Sequence, residues 1–386
     1  MDFPLEIITE GKVKLAVPKM SEYLRPDGVY EPAHAPVFYN PKAKFNRDVA
    51  VAFGKALREE LGRLDVLEPL AGSGVRSLRY AAESGATKVL AVDANPLAVE
   101  LIKYNVKLNK LEDRVKVLLS EANAVLHSRE LREGYYDLVD VDPFGSPMPF
   151  ADGAVRATRR RGLVAVTATD TAPLTGARPQ SALRKYGALV RRTPFSKEVA
   201  IRVLMGAMVR VAAVREVALR PEVAFFKDYY VRAELRLDRG AGRTDEALSN
   251  LGYLFYNEKN YDVKVVKGYP LPEERPEGIA VGPLWLGPLT GPLARRALEL
   301  AEYPEARKLL ETLLEEDSVG VPFSYKVEKV ASLLKVNMPS PRLVVERLRE
   351  LGYKALLTHY DRTSVKTDAP REEVFKVVKE LSPMLK

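Results

Sequence analysis

The stretch DVLEPLAGSGVR, Asp65 to Arg76, decides the fold. Asp65–Glu68 reads as a short apolar strand closed by a carboxylate, and Val75 opens a helix that runs to Glu83. Between them lies a turn with Gly72 and Gly74, where backbone can approach a ligand that a side chain would keep away. Strand, glycine turn and helix make half of a βα unit, and the flanking chain repeats it. Upstream, Val49, Val51, Phe53, Leu57 and Leu61 give Asn46–Leu61 helical spacing. Downstream, Lys88–Val92 is a strand rich in Val and Leu. Pro96–Leu108 is a helix with proline in its first turn, where the missing N–H costs nothing.

Val115–Leu119, Tyr136–Val141 and Gly162–Thr167 read as further buried strands separated by helices, and Ser196–Val214 as a long apolar helix. Val223–Lys227 and Tyr229–Leu237 predict an antiparallel hairpin at the sheet edge. The expected class is α/β: a doubly wound, mainly parallel sheet with its ligands at the carboxyl ends of the strands. Residues 239–278, opened by Gly240 and Gly242 and closed by Pro270, Pro272 and Pro276, are expected to be irregular. They contain the expected division between a first domain, 1–268, and a smaller α+β domain, 269–386. The latter should hold helices at Leu293–Glu315, Pro341–Leu351 and Arg371–Leu381, and a short hairpin of Lys354–Thr358 with Ser364–Thr367.

Composition narrows the chemistry. A 386-residue chain that is 46% apolar is long enough for two or three domains and is not disordered. With no cysteine, disulfides, thiolate zinc, iron–sulfur clusters and cysteine nucleophiles are excluded. Three scattered histidines, His34, His127 and His359, give no metal-ligand spacing, so no metal is expected. The most apolar run, Val203–Val209, is enclosed by Arg202 and Arg210 and falls far short of the ~20 residues of a membrane span. The N-terminus has no signal-peptide pattern, which makes the cytoplasm the expected location, and no protein partner is evident.

The net charge is +8, but residues 151–220 alone carry 14 Lys and Arg against four acids, and residues 321–386 add a further excess of +5. Arg159, Arg160, Arg161, Arg191 and Arg192 have few acids near them in sequence, which favours phosphate binding over paired surface charge.

The carboxyl ends of successive strands carry the candidate site. Two glycines, rather than G-x-G-x-x-G, disfavour a dinucleotide pyrophosphate, and Glu68 would repel one. Glu68 suits a cationic ligand such as the methionine moiety of S-adenosylmethionine. Asp93, ending the second strand, can accept bonds from both ribose hydroxyls. Glu121, after the third, is placed to meet an adenine edge. The fourth strand runs into Asp140-Val-Asp-Pro-Phe-Gly145. There Asp142 and the Pro143 carbonyl can accept the two N–H bonds of an exocyclic amine and turn its lone pair toward a methyl donor. Phe144 can stack on the base.

The runs VFYNPKAKFNRD (37–48), DVDPFGSP (140–147), VTATDTAPLTGARP (166–179), GPLWLGPL (282–289) and THYDRTSVKTDAP (358–370) together resemble the tRNA (guanine-26) dimethyltransferases of archaea and eukaryotes. The resemblance covers nearly the whole chain. It implies a Rossmann-like methyltransferase sheet, S-adenosylmethionine as cofactor, tRNA as partner, and mono- then dimethylation of the guanine amine. It implies that Arg47, Arg76, Asp93, Glu121 and Ala122 bind the cofactor, with Glu68, Ala71, Gly72 and Gly74 at the glycine turn. Asp142 would be the catalytic residue, and Phe38 and Phe144 would flank the guanine. From its chemistry alone, Arg47 could pair the cofactor carboxylate bidentately.

Two departures stand out. The family usually has Asp where Glu121 stands. Some members carry a cysteine zinc site near residues 251–261, where this chain offers Tyr253, Phe255, Tyr256 and Tyr261 for packing. Read without the resemblance, the residues leave open methylation of adenine or of a protein amine, and a non-catalytic RNA-binding protein. A nicotinamide oxidoreductase is disfavoured by the missing third glycine and the lack of a well-placed histidine.

Overall fold

The computed structural model describes residues 3–382. A hairpin of β1 (Leu5–Glu10) and β2 (Val13–Pro18), not foreseen, precedes helix α1 (Lys44–Leu61). The alternating segment follows: β3 (Asp65–Glu68), α2 (Val75–Ala82), β4 (Lys88–Asp93), α3 (Pro96–Leu108) and β5 (Val115–Leu119). Short helices α4 (Ala122–His127) and α5 (Arg129–Arg132) lead to β6 (Tyr136–Val141), α6 (Met148–Ala157) and β7 (Thr158–Ala168). Then come α7 (Thr171–Leu174), α8 (Pro179–Tyr186), α9 (Ser196–Ala213), β8 (Val217–Lys227) and β9 (Tyr230–Arg239).

These strands form one seven-stranded sheet in the order β5-β4-β3-β6-β7-β9-β8. The first five are parallel, β9 runs antiparallel to β7, and β8 closes the edge as the other arm of the hairpin. The chain moves outward from β3 to β5, then returns to lay β6 on the other side of β3. The direction of winding reverses there, which opens a crevice at the carboxyl ends of β3 and β6.

Side chains of the sheet alternate between two cores. Val139, Val141, Val164 and Val166 face α6 and α9, while Leu138, Leu163 and Ala165 face α1 and α2. Both faces are covered, so the parallel strands read as continuous apolar runs.

Residues 239–278 are more regular than expected. They hold α10 (Ala241–Leu248), β10 (Leu251–Tyr256) and β11 (Val263–Lys267), and β10 pairs with both β11 and the later β12 (Ile279–Trp285). This small antiparallel sheet straddles positions 268 and 269. In the stretch of residues 251–261, Tyr256 packs edge-on against Tyr261 and Phe195, and Tyr261 meets Tyr325 at 5.3 Å.

The helix expected at Leu293–Glu315 is two, α11 (Pro292–Leu300) and α12 (Pro304–Val319), because Pro304 cannot donate into a continuing helix and starts a new one. The chain ends with β13 (Tyr325–Lys326), α13 (Val327–Leu334), α14 (Pro341–Glu350), β14 (Ala355–Leu357), β15 (Ser364–Thr367) and α15 (Arg371–Glu380). The β14–β15 hairpin is antiparallel, as expected.

A buried polar seam ties this region to the sheet domain. Glu198 of α9 accepts from Lys366 Nζ of β15 at 2.6 Å, from Tyr360 Oη at 2.7 Å and from Arg202 Nε of its own helix at 2.9 Å. Burial pushes the Glu198 carboxyl up, but Lys366 and Arg202 outweigh it and hold it down at about 2. Nearby, His359 accepts from the Phe226 N–H through Nε2, which leaves Nδ1–H to donate to Glu316 at 2.9 Å. Among the described residues no helix is long and apolar enough to cross a membrane.

Candidate active site

The crevice contains a cavity of about 380 Å³. One end is formed by Gly72 and Asp93, from the ends of β3 and β4, and the other by Asp142, Pro143 and Phe144, from the end of β6. Phe38, Asn40, Asn46 and Arg47 form one wall; Thr167, Thr169, Tyr229 and Tyr230, from β7 and the β8–β9 hairpin, form the other. A smaller recess of about 60 Å³ continues beside Glu68, Ala71 and Arg76. The fold thus gathers most of the expected site residues around one space. Asn40, Asn46, Thr167, Thr169, Tyr229 and Tyr230 were not singled out from sequence, although the first four lie in runs that carried the resemblance.

The Asp93 end is built by hydrogen bonds. Asp93 Oδ2 accepts from Gly72 N at 2.8 Å and Oδ1 from Asn95 N at 2.9 Å, which locks the strand end to the glycine turn. Gly72 has φ +53°, and a Cβ there would lie 3.1 Å from the Phe38 carbonyl, so the turn and the 38–40 loop pack backbone to backbone. Gly74 plays a different part from the one expected. Its missing Cβ makes room for Ile102 of α3, a helix-packing role behind the cavity lining. Glu121 caps α4 through Ala124 N at 3.0 Å and is exposed, and Ala122 is buried next to it; both stand outside the lining of the two spaces.

Arg47 is buried, and its bidentate fork is already taken. Nε and Nη2 donate to the two oxygens of Glu10 at 2.6 and 2.5 Å, and Nη2 also to the Asn40 carbonyl at 3.1 Å. This corrects the expectation of a bidentate pair with a cofactor carboxylate. The partner comes from the unforeseen N-terminal hairpin, and only Nη1 is left without a protein partner among the described residues. Burial pushes Glu10 up, but Arg47 and Arg79 hold it below its ordinary value.

The Asp142 end rests on buried charge. Asp142 keeps 26% of its side chain exposed, and its Oδ2 makes a close contact with Arg76 Nη2. Arg76 Nη1 donates to Asn46 Oδ1 at 3.1 Å and to Asp140 at 3.3 Å, and Nε lies 3.7 Å from Glu68. Glu68 caps α2 through Ser77 N at 2.9 Å. Burial pushes Glu68 up to about 8, with Arg76 and Ser77 pulling the other way. It is therefore largely protonated at neutral pH, which weakens the expectation that it attracts a cationic ligand.

The Asp142 turn is clasped to the end of β7, with Gly145 N donating to Thr169 Oγ1 at 2.7 Å and Thr169 N to the Gly145 carbonyl at 2.9 Å. Phe144 is 72% exposed, and its ring meets Phe38 edge to face at 4.7 Å. The two rings touch in this arrangement and leave no slot between them.

The basic surface is narrower than expected. Arg159 pairs with Asp65 and Asp137, Arg160 with Asp238, Arg161 with Glu60, Arg215 with Asp152 and Arg220 with Glu246. Their acids come from other elements, a partnership that proximity along the chain does not reveal. Arg178, Arg184, Arg191 and Arg192 remain exposed and without an acidic partner among the described residues, on the segment that leaves the cavity after Thr169.

The donor set fits S-adenosylmethionine. A strand-end carboxylate faces one end of an elongated space, backbone lines its floor, and a guanidinium nitrogen without a protein partner belongs to its wall. Among the described residues no group of three His, Asp or Glu side chains could hold a metal ion.

A tRNA (guanine(26)-N(2))-dimethyltransferase of Methanopyrus kandleri is 41% identical over 98% of this chain and 97% of that protein. One from Pyrococcus furiosus is 36% identical over 98% of this chain and all of that protein. The solved complex of Trm1 from Pyrococcus horikoshii with S-adenosyl-L-methionine superposes with a TM-score of 0.84 at 33% identity, covering 97% of this chain and all of that one. The model of the N2,N2-dimethylguanosine tRNA methyltransferase family matches residues 11–379, and the chain belongs to that family.

Proposed function

We infer that this protein transfers methyl groups from S-adenosylmethionine to the exocyclic N2 amine of a guanine in tRNA, position 26 as in its named relatives, giving mono- and then dimethylguanosine. The observation that carries this reading is the single cavity joining Asp93 and Gly72 at one end to Asp142, Pro143 and Phe144 at the other. The cofactor, when bound, supplies an electrophilic methyl group.

The chain's own residues do the rest. Asp93 would hold the ribose hydroxyls, and Arg47, in the cavity wall, would offer Nη1 to the cofactor carboxylate. Glu121 and Ala122, one strand further along, would border the adenine. The guanine amine is a poor nucleophile, because its lone pair is delocalised into the ring. Asp142 and the Pro143 carbonyl accept its two N–H bonds and direct that lone pair along the line of transfer. With Oδ2 of Asp142 held by Arg76, Oδ1 is left to accept the amine proton and release it to water. Phe38 and Phe144, once parted, flank the base.

We propose that residues 1–268 carry methyl transfer and that 269–386, with the exposed arginines at 178–192, grip tRNA phosphates. The division is one of function, since β10 and β12 pair across it. The cytoplasm is the proposed location. Incubating the protein with labelled S-adenosylmethionine and unmodified tRNA, then digesting to nucleosides, tests the reading: label in N2-methylated guanosine is expected, and label in adenosine or none at all would overturn it.

A further inference from the structure

Beneath Asp142 lies a set of charged groups that methyl transfer, as described, does not use. Asp140 of β6, Arg232 and Glu234 of β9 and Tyr80 of α2 are all fully buried. They meet because of sheet register. Asp140 and Glu234 each pair with Ala165 of β7, one from either side, so all three point to the same face. Only a methyl group separates the two outer strands there, and Arg232, two residues before Glu234, shares their side.

Within the set, Arg232 occupies both oxygens of Asp140, with Nη1 on Oδ1 at 2.7 Å and Nη2 on Oδ2 at 2.8 Å. Tyr80 Oη adds a bond to Oδ2 at 2.7 Å. Arg76 therefore finds Asp140 already satisfied. Its Nη1 stands 3.3 Å away, while its Nη2 makes the close contact with Asp142.

Asp140 and Asp142 both contact Arg76. We propose that Arg232 is a positioning residue for Asp142: by saturating Asp140 it leaves Arg76 to hold Asp142 at the mouth of the cavity. The proposal rests on the reading of Asp142 as the catalytic residue. Glu234 contests Arg232 only weakly. Its contact with Nη2 is 3.1 Å, its Oε2 has no partner, and burial pushes its carboxyl up to about 7 against the pull of Arg232.

The cluster makes an unusual demand on a double-mutant cycle. Replacing Arg232 by Met strips Asp140 of its bidentate partner. Asp140 then draws Arg76 inward and Asp142 loses its hold. Removing the charge of Asp140 as well ends the pull. For Arg232→Met, kcat should fall by about 10- to 100-fold, the cost of misplacing a reacting group by ~1 Å, with KM for tRNA unchanged. Adding Asp140→Asn should raise kcat again by about tenfold, although it removes a second buried group. A merely structural role would show the same rescue in the unfolding midpoint, because the unpaired Asp140 charge is gone, but would leave kcat of the folded protein unchanged throughout.

Arg232→Lys, which keeps a positive charge but bonds a single oxygen, provides the same comparison should the Met variant not fold. Its kcat should lie between wild type and Arg232→Met, and Asp140→Asn should again raise it. A double variant no faster than its Arg232 single variant overturns the proposal, as does an Arg232 variant with wild-type kcat. Asp142→Asn, assayed alongside, separates the two failures. Wild-type activity there overturns the reading of Asp142 itself, whereas an inactive Asp142→Asn with additive Arg232 and Asp140 losses overturns the positioning role alone.

Discussion

Two of the buried ionic clusters among the described residues are built on opposite terms. Around Glu198, in the seam, one carboxylate meets Lys366, Arg202 and Tyr360, and none of their polar atoms lacks a partner. Around Asp140, under the cavity, four carboxyls, Glu68, Asp140, Asp142 and Glu234, share two guanidiniums. Arg232 Nε, Glu234 Oε2 and Tyr230 Oη are left without partners. A satisfied cluster welds. One with an excess of acid and loose ends is expensive to bury, and it stands where a carboxylate must be presented to a substrate.

The largest test of this contrast is removal of the one acid of this cluster that lines the larger cavity, Asp142. Asp142→Ala should lower kcat by about 10³-fold, near the range of a lost acid–base group. It should leave cofactor affinity and the unfolding midpoint close to wild type; a matching collapse in calorimetric stability would make Asp142 a structural residue instead. The opposite pattern is expected in the seam. Lys366→Met leaves Glu198 buried with less compensation and should cost about 3–5 kcal/mol of unfolding free energy, with kcat of the folded protein unchanged. Denaturant unfolding together with kcat would expose a link between seam and chemistry if both fell.

Smaller, but diagnostic, is the pH dependence. Glu68 and Glu234 sit near 8 and 7, above their ordinary 4.5. The folded state therefore binds more protons than the unfolded one between 4.5 and those values, and stability contributed by the site cluster falls as pH rises through that window. Glu198, near 2, is the reverse: its contribution is present above 4.5 and is lost as pH falls toward 2. Unfolding midpoints across about pH 5–9 should slope downward in wild type and less so in Glu234→Gln; equal slopes would mean that Glu234 does not titrate there. The smallest expected effect lies outside both clusters. Arg191→Ala with Arg192→Ala should weaken tRNA binding and reduce its salt slope by about two, with no change in kcat at saturating tRNA.

How much of this could be read in advance follows from what period and spacing can carry. The parallel strands were legible because both faces are covered, so Tyr136–Val141 and Val115–Leu119 are plain apolar runs. The first turn of β7 was missed because Thr158–Arg161 is charged and looks like a loop. Residues 239–278 read as irregular in sequence because glycines and prolines flank elements that are themselves regular. Asp93, Asp142 and Phe144 were legible because strand ends converge by topology. Arg232 and Glu234 were not. Alternate charges in a strand expected to belong to an edge hairpin suggest a solvated face, but β9 lies inside β8, and their partner sits two strands away on β6. Glu10 was hidden for a like reason, since nothing local ties it to Arg47.

That last pairing reaches beyond the cavity wall. Glu10 closes the first strand of the hairpin and grips Arg47 in two places. The hairpin of Leu5–Glu10 and Val13–Pro18 thus braces a residue of the cavity wall although it lies far from most of that wall in sequence. Removing that hairpin, or levering it away with a bulky fusion, would take Glu10 from Arg47 and free its side chain to swing; if Arg47 has the role proposed for it, donor affinity falls although no cavity-lining residue has changed.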